Sequence, residues 1–173
     1  VIAASDGSNA GQTSVAVTVT DVDEAPTAMS LTGNSVAEES AAAVIGTLTV
    51  TDPDAAAEPF GNYSFVVDDA RFVVSAAGVL SLASGQSLDF ETESSVSIEV
   101  TATSGSSQQI VRSFVISVDD ADDEPTAINL SAAAVDENTT GTTIGIVSVT
   151  DEDTAAGFST YTYATDDARF SVN

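Results

Sequence analysis

Acidic side chains are concentrated at one junction of the sequence, directly after an alternating apolar segment. Five carboxylates occupy the six residues from Asp119 to Glu124, and Pro125 follows them. Two carboxylates about 4 Å apart repel each other by roughly 1 kcal/mol in water, and by more at a half-buried surface. Proline lacks a backbone donor and favours extended geometry in the residue before it. The acids are therefore held close together, and they require either full solvation or a bound cation.

Calcium is the cation that this composition favours. It takes about six to eight oxygen ligands, mostly carboxylates and backbone carbonyls. The chain contains no His and no Cys, which zinc and copper sites usually require. Asp52-Pro53-Asp54 and Asp151-Glu152-Asp153 lack the glycine and the ligand spacing of an EF-hand loop. A calcium site must therefore be assembled from separate segments of the chain.

The acidic junction recurs 99 residues earlier, where Pro26 takes the place of Pro125. The segments Pro26 to Asp54 and Pro125 to Asp153 align without a gap, and 12 of their 29 positions are identical. After the loss of one residue, Asp68 to Phe72 matches Asp166 to Phe170. A period of this length is typical of a domain rather than of a short solenoid repeat.

The repeat divides the chain into three units. We expect residues 1 to 26 to be the C-terminal strands of one unit, 27 to 125 a complete unit, and 126 to 173 the N-terminal half of a third. Residues 126 to 173 lack the closing strands of a unit, and we favour the explanation that the sequence covers part of a longer fibre. The alternative is that residues 1 to 26 of another copy supply some of these strands by strand addition.

The net charge excludes some partners. The chain has 27 acidic residues and three basic ones, which gives a formal charge of −24. Nucleic acid and anionic membrane surfaces bind proteins with positively charged surfaces, so neither is expected as a partner. No apolar run approaches the roughly 18 residues of a membrane span, so we expect no insertion in a membrane within this stretch. The 43% hydrophobic content favours folded units over disorder.

Short alternating segments separated by turn residues predict strands. One is Ser14 to Thr20, with Val15, Val17 and Val19 on one face. The complete unit has seven more: Met29–Thr32, Ile45–Thr51, Tyr63–Val67, Arg71–Ser75, Gly78–Leu82, Ser95–Thr103 and Ile110–Val118. We therefore predict an all-β fold of tandem seven-stranded antiparallel Greek-key β-sandwiches. The predicted core is Leu31, Leu48, Val50, Phe65, Phe72, Leu80, Ile98, Val100, Phe114 and Ile116.

Paired acids at Asp68-Asp69 and Asp166-Asp167 are a possible acid/base couple. The alternative, which we favour, is a turn before an aromatic-anchored strand, with Arg71 or Arg169 as the local ion-pair partner. No His, Cys or nucleophile turn accompanies the acids. We therefore expect that the protein is not an enzyme.

Several motifs, taken in order, resemble the cadherin repeat. The chain has Val135-Asp136-Glu137-Asn138, Thr150-Asp151-Glu152-Asp153, Leu88-Asp89-Phe90-Glu91 and the linker from Asp120 to Pro125. These are similar to the family's Val-x-Glu-Asn, Asp-x-Asp, Leu-Asp-x-Glu and acidic linker motifs. The linker is one residue shorter than in animal cadherins and closer to that of bacterial cadherin-like repeats, and the resemblance covers the whole length.

The resemblance implies that calcium lies between consecutive units. At the second junction, the implied ligands are Glu38, Asp89 and Glu91 from the complete unit, Asp120, Asp122 and Asp123 from the linker, and Asp151 and Asp153 from the next unit. At the first junction, they are Asp21, Asp23, Glu24, Asp52 and Asp54. Glu137 is the counterpart of Glu38 in the third unit. Asp23 and Asp122 replace the family's Asn, and Ser104 stands where the family has an Asp, so we expect fewer ions per junction than in the family.

The function implied by the resemblance is mechanical. Calcium would stiffen an extracellular array of repeats in a bacterial cell-surface or secreted protein that serves as an adhesive stalk or filament. Its partners would be the neighbouring repeats of the same chain, with homophilic contact or filament self-assembly. The alternatives are a module that binds polysaccharide or a protein ligand, and an accessory repeat of a large secreted hydrolase. The absence of Trp and the presence of only three Tyr count against a carbohydrate platform.

Overall fold

A computed structural model describes residues 1–55, 62–153 and 157–173. Within these residues the chain is all-β and forms no helix, so the described part contains none that could cross a membrane. The strands are β1 (Ile2–Ser5), β2 (Ala10–Thr13), β3 (Ala28–Leu31), β4 (Ser35–Ala37), β5 (Val44–Thr51), β6 (Tyr63–Val67), β7 (Phe72–Val74), β8 (Val79–Leu82), β9 (Ser95–Ser104), β10 (Gln109–Asp119), β11 (Ala127–Leu130) and β12 (Val147–Thr150).

Strands β3 to β10 form a sandwich of two four-stranded sheets. One sheet has the order β3-β5-β8-β7 and the other has the order β4-β10-β9-β6. The chain changes sheets after β3, β4, β5, β6 and β8, as in a Greek-key sandwich. All seven strands predicted for this unit are present, with bounds that differ by at most one residue. The prediction missed β4, a three-residue strand that pairs with β10 in parallel, so the sheets are not wholly antiparallel.

The core lies between the two sheets. Six of the ten predicted core residues are buried, and the other four, Leu31, Val50, Phe65 and Phe114, pack partly buried against them. Strand β9 shows how the alternation works, because Val96, Ile98, Val100 and Ala102 are at most 2% exposed while the residues between them face outwards. Burial of a large aliphatic side chain stabilises the fold by about 1.5 to 3 kcal/mol. The side chains on the inner face of each sheet therefore hold the two sheets together.

Two backbone segments cross closely at Gly33 and Gly46. A Cβ atom built on Gly46 would lie 2.6 Å from the nitrogen and 2.8 Å from the oxygen of Gly33. In the third unit, a Cβ on Gly145 would lie 2.8 Å from the nitrogen of Ala132. Gly46 and Gly145, which match in the repeat, are thus explained by the same backbone contact in both copies.

The first and third segments form smaller sheets. Strands β1 and β2 form an antiparallel hairpin, and β11 pairs with β12. The predicted strand from Ser14 to Thr20 is wrong, because these residues form no strand and Val17 and Val19 are more than four-fifths exposed. Strand β1 begins at Ile2, opposite Thr13, so residues beyond Ser14 have no pairing partner in this hairpin. Alternation alone does not form a strand without a neighbour.

The interpretation of the paired acids as turns is confirmed. Asp69 forms a salt bridge of 2.7 Å with Arg71, whose guanidinium also contacts Glu93 at 2.9 Å. The N–H of Phe72 donates to the Asp69 carbonyl and closes the turn. Hydrogen bonds from Arg71 hold the pKa of Asp69 below its usual value. Asp167 and Arg169 repeat the ion pair in the third unit.

Candidate metal centre

Strand β4 positions the first carboxylate of the second junction. The parallel pairing of β4 with β10 brings Ala37 opposite Asp119, and the next residue, Glu38, donates its N–H to the Asp119 carbonyl at 3.1 Å. The Glu38 side chain is therefore delivered to the point where β10 ends and the acidic linker begins. It is only 3% exposed.

Two backbone donors fix the Glu38 carboxylate. Its Oε2 accepts the N–H of Phe90 at 2.6 Å, and its Oε1 accepts the N–H of Ala121 at 2.7 Å. The first contact reaches the loop that carries Asp89 and Glu91, and the second reaches the linker. Hydrogen bonds to a charged acceptor are worth about 1.5 to 3 kcal/mol each. Glu38 thus joins two segments that each carry further acids.

The segment after β12 contributes Asp153, which is also 3% exposed. Its Oδ2 accepts the N–H of Asp123 in the linker at 2.6 Å. Its own N–H donates to Oδ1 of Asp151 at 3.1 Å, and the hydroxyl of Tyr161 donates to Oδ2 of the same residue at 2.6 Å. The Asp-x-Asp pair is therefore attached to the linker through a side chain and ordered by local hydrogen bonds.

Carboxylates from these segments converge in two groups of three. Glu38, Glu91 and Asp123 form one group, and Glu91, Asp120 and Asp153 form the other. Within each group, one carboxylate oxygen per residue lies within 4.8 Å of those of the other two. Calcium binds oxygens at about 2.3 to 2.6 Å, so two ligands of one ion can lie up to roughly 5 Å apart. Both groups therefore fit a shared calcium ion.

The clustered charges disfavour one another's ionisation. Loss of hydration, followed by the nearby carboxylates of Glu39, Glu38 and Asp153, raises the pKa of Asp123 to about 6. Loss of hydration and the surrounding acids also raise the pKa of Asp120 and of Glu91. The described part of the chain brings no basic residue into either group. A divalent cation would remove this electrostatic penalty.

Unpaired oxygens give an independent sign of a ligand. Asp120 Oδ1 and Asp153 Oδ1 are buried and have no hydrogen-bond partner among the described residues, and both side chains belong to the same group of three. Buried polar atoms are nearly always paired, and a buried charge without a partner is costly. The residues present therefore fit a hard cation that takes oxygen ligands.

Other predicted ligands at this junction lie outside the two groups. The Asp89 carboxylate accepts the N–H and the hydroxyl of Thr92, at 2.8 and 2.7 Å, and these bonds lower its pKa. Asp122 is exposed, and so is Glu137. Asp151 is held beside Asp153 by the contacts given above. The structure thus brings together Glu38, Glu91, Asp120, Asp123 and Asp153, while the roles of the other predicted ligands stay predictions.

The first junction repeats several of these contacts. Asp54 Oδ2 accepts the N–H of Glu24 at 2.6 Å, as Asp153 accepts that of Asp123. Asp52 Oδ1 accepts the N–H of Asp54 at 2.7 Å, and the neighbouring Asp54 carboxylate raises the pKa of Glu24. Asp23 Oδ1 is a third buried oxygen without a partner in the described residues. The predicted ligand Asp21 is exposed.

Sequence reasoning missed three hydroxyl groups at the junctions. Tyr63 donates to Asp52 Oδ2, as Tyr161 does to Asp151, and burial together with this hydrogen bond raises the pKa of Tyr63. The hydrogen bond to Asp151 raises the pKa of Tyr161 to about 12. The repeat alignment could have revealed these tyrosines, because it pairs them. Ser106 donates to Asp23, and no sequence signal pointed to it.

Comparison with known proteins gives matches among solved structures. No protein-family model matches the sequence, and a search of curated proteins finds no match. The chain is similar to PcdhgB3 EC1-4, with a TM-score of 0.60 and 20% identity over 79% of this chain and 35% of that one. It is similar to human protocadherin-24 EC1-2, with a TM-score of 0.56 and 19% identity over 75% and 63%.

A further match is extracellular cadherin domains 1–4 of protocadherin gamma B7, with a TM-score of 0.53 and 19% identity over 76% of this chain and 35% of that one. The chain spans less than two thirds of the length of each of these structures. The sandwich, its strand order and these likenesses show that the chain has the cadherin-like fold.

Proposed function

We propose that the second junction binds calcium and that the bound ion stiffens an array of cadherin-like repeats. The observation that carries this proposal is the group formed by Glu91, Asp120 and Asp153. We place the boundary between the two units at residue 125, so Glu91 belongs to the complete unit, Asp120 to its linker and Asp153 to the following unit. One ion bound to all three would restrict both units at once.

Repulsion between the carboxylates makes the linker flexible, whereas their coordination of calcium makes it rigid. Without calcium, the carboxylates repel one another across the linker, and only a few hydrogen bonds, such as that from Asp123 to Asp153, join the units. With calcium, the same side chains become ligands of a common centre. The linker Asp119 to Thr126 is then flexible without calcium and rigid with calcium.

Further residues complete the proposed ligand set. Glu38 and Asp123 form the other group around Glu91. Asp89, Asp122 and Asp151 are near enough in sequence to these ligands to add oxygens, directly or through water. At the first junction Asp21, Asp23, Glu24, Asp52 and Asp54 play the same part, and Glu137 would serve the junction after the third unit.

The setting proposed for this joint is the outside of a bacterial cell. Extracellular calcium modules bind with dissociation constants of about 10⁻⁴ to 10⁻³ M, which suits the calcium found there. An array of such joints would serve as an adhesive stalk or filament of a cell-surface or secreted protein. The matched structures support only the extracellular part of this setting, since one of them is described as extracellular cadherin domains.

Small-angle scattering of the chain in calcium and in chelator tests the proposal. We expect a larger maximum dimension and a narrower distribution of shapes in calcium. Limited proteolysis should cut Asp119 to Thr126 faster in chelator than in calcium, whereas sites inside the sandwich should show no such change. An unchanged maximum dimension together with equal cleavage would refute a joint that calcium stiffens.

A further inference from the structure

The first aspartate of each Asp-x-Asp pair has both carboxylate oxygens engaged by the protein. In Asp151, Oδ1 accepts the N–H of Asp153 at 3.1 Å and Oδ2 accepts the hydroxyl of Tyr161 at 2.6 Å. In Asp52, Oδ1 accepts the N–H of Asp54 at 2.7 Å, and Oδ2 accepts the hydroxyl of Tyr63. The two carboxylates are therefore oriented by the same pair of donors.

The tyrosine contact does not depend on strand pairing. Tyr63 lies in β6 and pairs with Ser104 of β9. Tyr161 lies outside the strands of the described residues, yet its hydroxyl reaches the equivalent aspartate. Because the contact occurs in both settings, it is a property of the Asp-x-Asp segment and the following tyrosine rather than a consequence of the sheet.

Orientation of a ligand matters for metal affinity. A carboxylate has about four lone-pair positions, so two hydrogen bonds leave others free for a cation. Residues that hydrogen-bond to a metal ligand fix its direction, and their loss typically weakens metal binding by about 10-fold to 100-fold. A side chain that is already ordered also loses less entropy when it binds.

We propose that Tyr63 and Tyr161 are positioning residues for metal binding, each holding the first carboxylate of its Asp-x-Asp pair in place. This inference rests on the proposed calcium function of the junctions. It adds an uncharged aromatic residue to each site, and it assigns these residues a role through Asp52 and Asp151 rather than a contact with the ion.

The tyrosines also provide a spectroscopic signal. The chain has three Tyr and no Trp, so its near-ultraviolet absorption comes from tyrosine, with a weak contribution from Phe. Two of the three tyrosines donate to Asp-x-Asp carboxylates. Binding of calcium at these carboxylates should therefore change the tyrosine spectrum, and the variant that carries both Tyr63→Phe and Tyr161→Phe should lose that change.

Calorimetric titration of calcium into the full chain provides the test. Tyr161→Phe should weaken binding at the second junction by about 10-fold, the lower end of the usual range. Tyr163→Phe removes the same hydroxyl two residues further on, from a side chain that is 43% exposed, and should leave the affinity unchanged. Tyr63→Phe, in the complete unit, gives a second measurement in case the third unit of Tyr161→Phe does not fold.

The outcomes separate this inference from the proposed function. If the unaltered chain binds calcium and both Tyr161→Phe and Tyr63→Phe bind it equally well, the positioning role is wrong while the calcium joint stands. If the unaltered chain binds no calcium, both are overturned. Weaker binding by Tyr161→Phe, with a normal Tyr163→Phe control and loss of the spectral change in the double variant, supports the positioning role.

Discussion

Replacement of Glu38 by Gln should destabilise the complete unit strongly. The carboxylate accepts one backbone N–H with each oxygen, from Phe90 and from Ala121. An amide has a single acceptor oxygen, so in either orientation its NH₂ group faces one of these N–H donors. One hydrogen bond is lost, and the other is no longer made to a charge. Because the side chain is 3% exposed, water does not easily replace the missing partner.

The size of the effect follows from these two changes. Loss of a hydrogen bond to a charged group, with weakening of a second, corresponds to about 3 kcal/mol. With a urea dependence of about 2 kcal/mol per M, the unfolding midpoint should fall by roughly 1.5 M. A domain of this size has a total stability of about 5 to 15 kcal/mol, so the variant should still fold.

Relief of repulsion acts in the opposite direction and must be suppressed. Glu38 lies with Glu91 and Asp123 in a group whose oxygens are within 4.8 Å of one another, so removal of its charge also removes repulsion. Urea titrations should therefore be done in chelator and about 1 M KCl, where the screening length is about 3 Å. At low salt the loss of stability should be smaller.

Glu39→Gln is the matched control. It removes the same charge one residue further on, from an exposed side chain, and should change stability by less than about 0.5 kcal/mol. A midpoint for Glu38→Gln within about 0.3 M of the unaltered protein in high salt would refute the reasoning that the hydrogen bonds from Phe90 and Ala121 to Glu38 stabilise the complete unit.

Three further predictions concern the same framework. Asp123, Asp120 and Glu91 have raised pKa values, so in chelator their protonation favours the folded joint. This contribution is present below the unfolded pKa near 4 and is lost as the pH rises through the raised pKa values, which for Asp123 is about 6, so the melting temperature should fall between about pH 5 and pH 7.5. A rise over that range would contradict it. Gly46→Ala should cost about 1 to 3 kcal/mol in urea unfolding, because its Cβ would overlap Gly33, whereas Gly11→Ala, with nothing within 4 Å, should cost much less. Equal effects would exclude the crossing contact. Glu39→Asn should raise the melting temperature, because Glu39 has φ of 54° and its counterpart is Asn138, with φ of 62°, and a left-handed backbone costs most residues about 1 to 2 kcal/mol. An unchanged or lower value would show that this backbone strain does not limit stability.

The sequence predicted the sandwich well because its strands alternate clearly. Strand Tyr63–Val67 was predicted with its correct bounds, and Ser95–Thr103 differed by one residue. Strand β4 was missed because three residues with a single large apolar side chain, Val36, give no period. Ser14 to Thr20 has an equally clear alternation but no neighbouring strand to pair with. Pairing is a property of the whole sheet, so a local pattern cannot decide it.

The candidate site was predicted in outline from the repeat and the cadherin resemblance. Five of the expected ligands meet in the two groups of carboxylates. The sequence could not show that Glu38 would be held by backbone donors from two distant segments, because these contacts depend on the parallel pairing of β4. Nor could it show that Asp89 would be engaged by Thr92. Ligand identity follows from residue type, whereas orientation follows from the fold.

Calcium titration by calorimetry, with one ligand removed from each of the three segments, tests shared coordination most directly. The variants are Glu91→Gln, Asp120→Asn and Asp153→Asn, and each should weaken binding at the second junction by at least about 10-fold. The exposed Asp119→Asn provides the control and should bind as the unaltered chain does. Calcium binding that is unaffected by Glu91→Gln and by Asp153→Asn would show that no ion joins the two units.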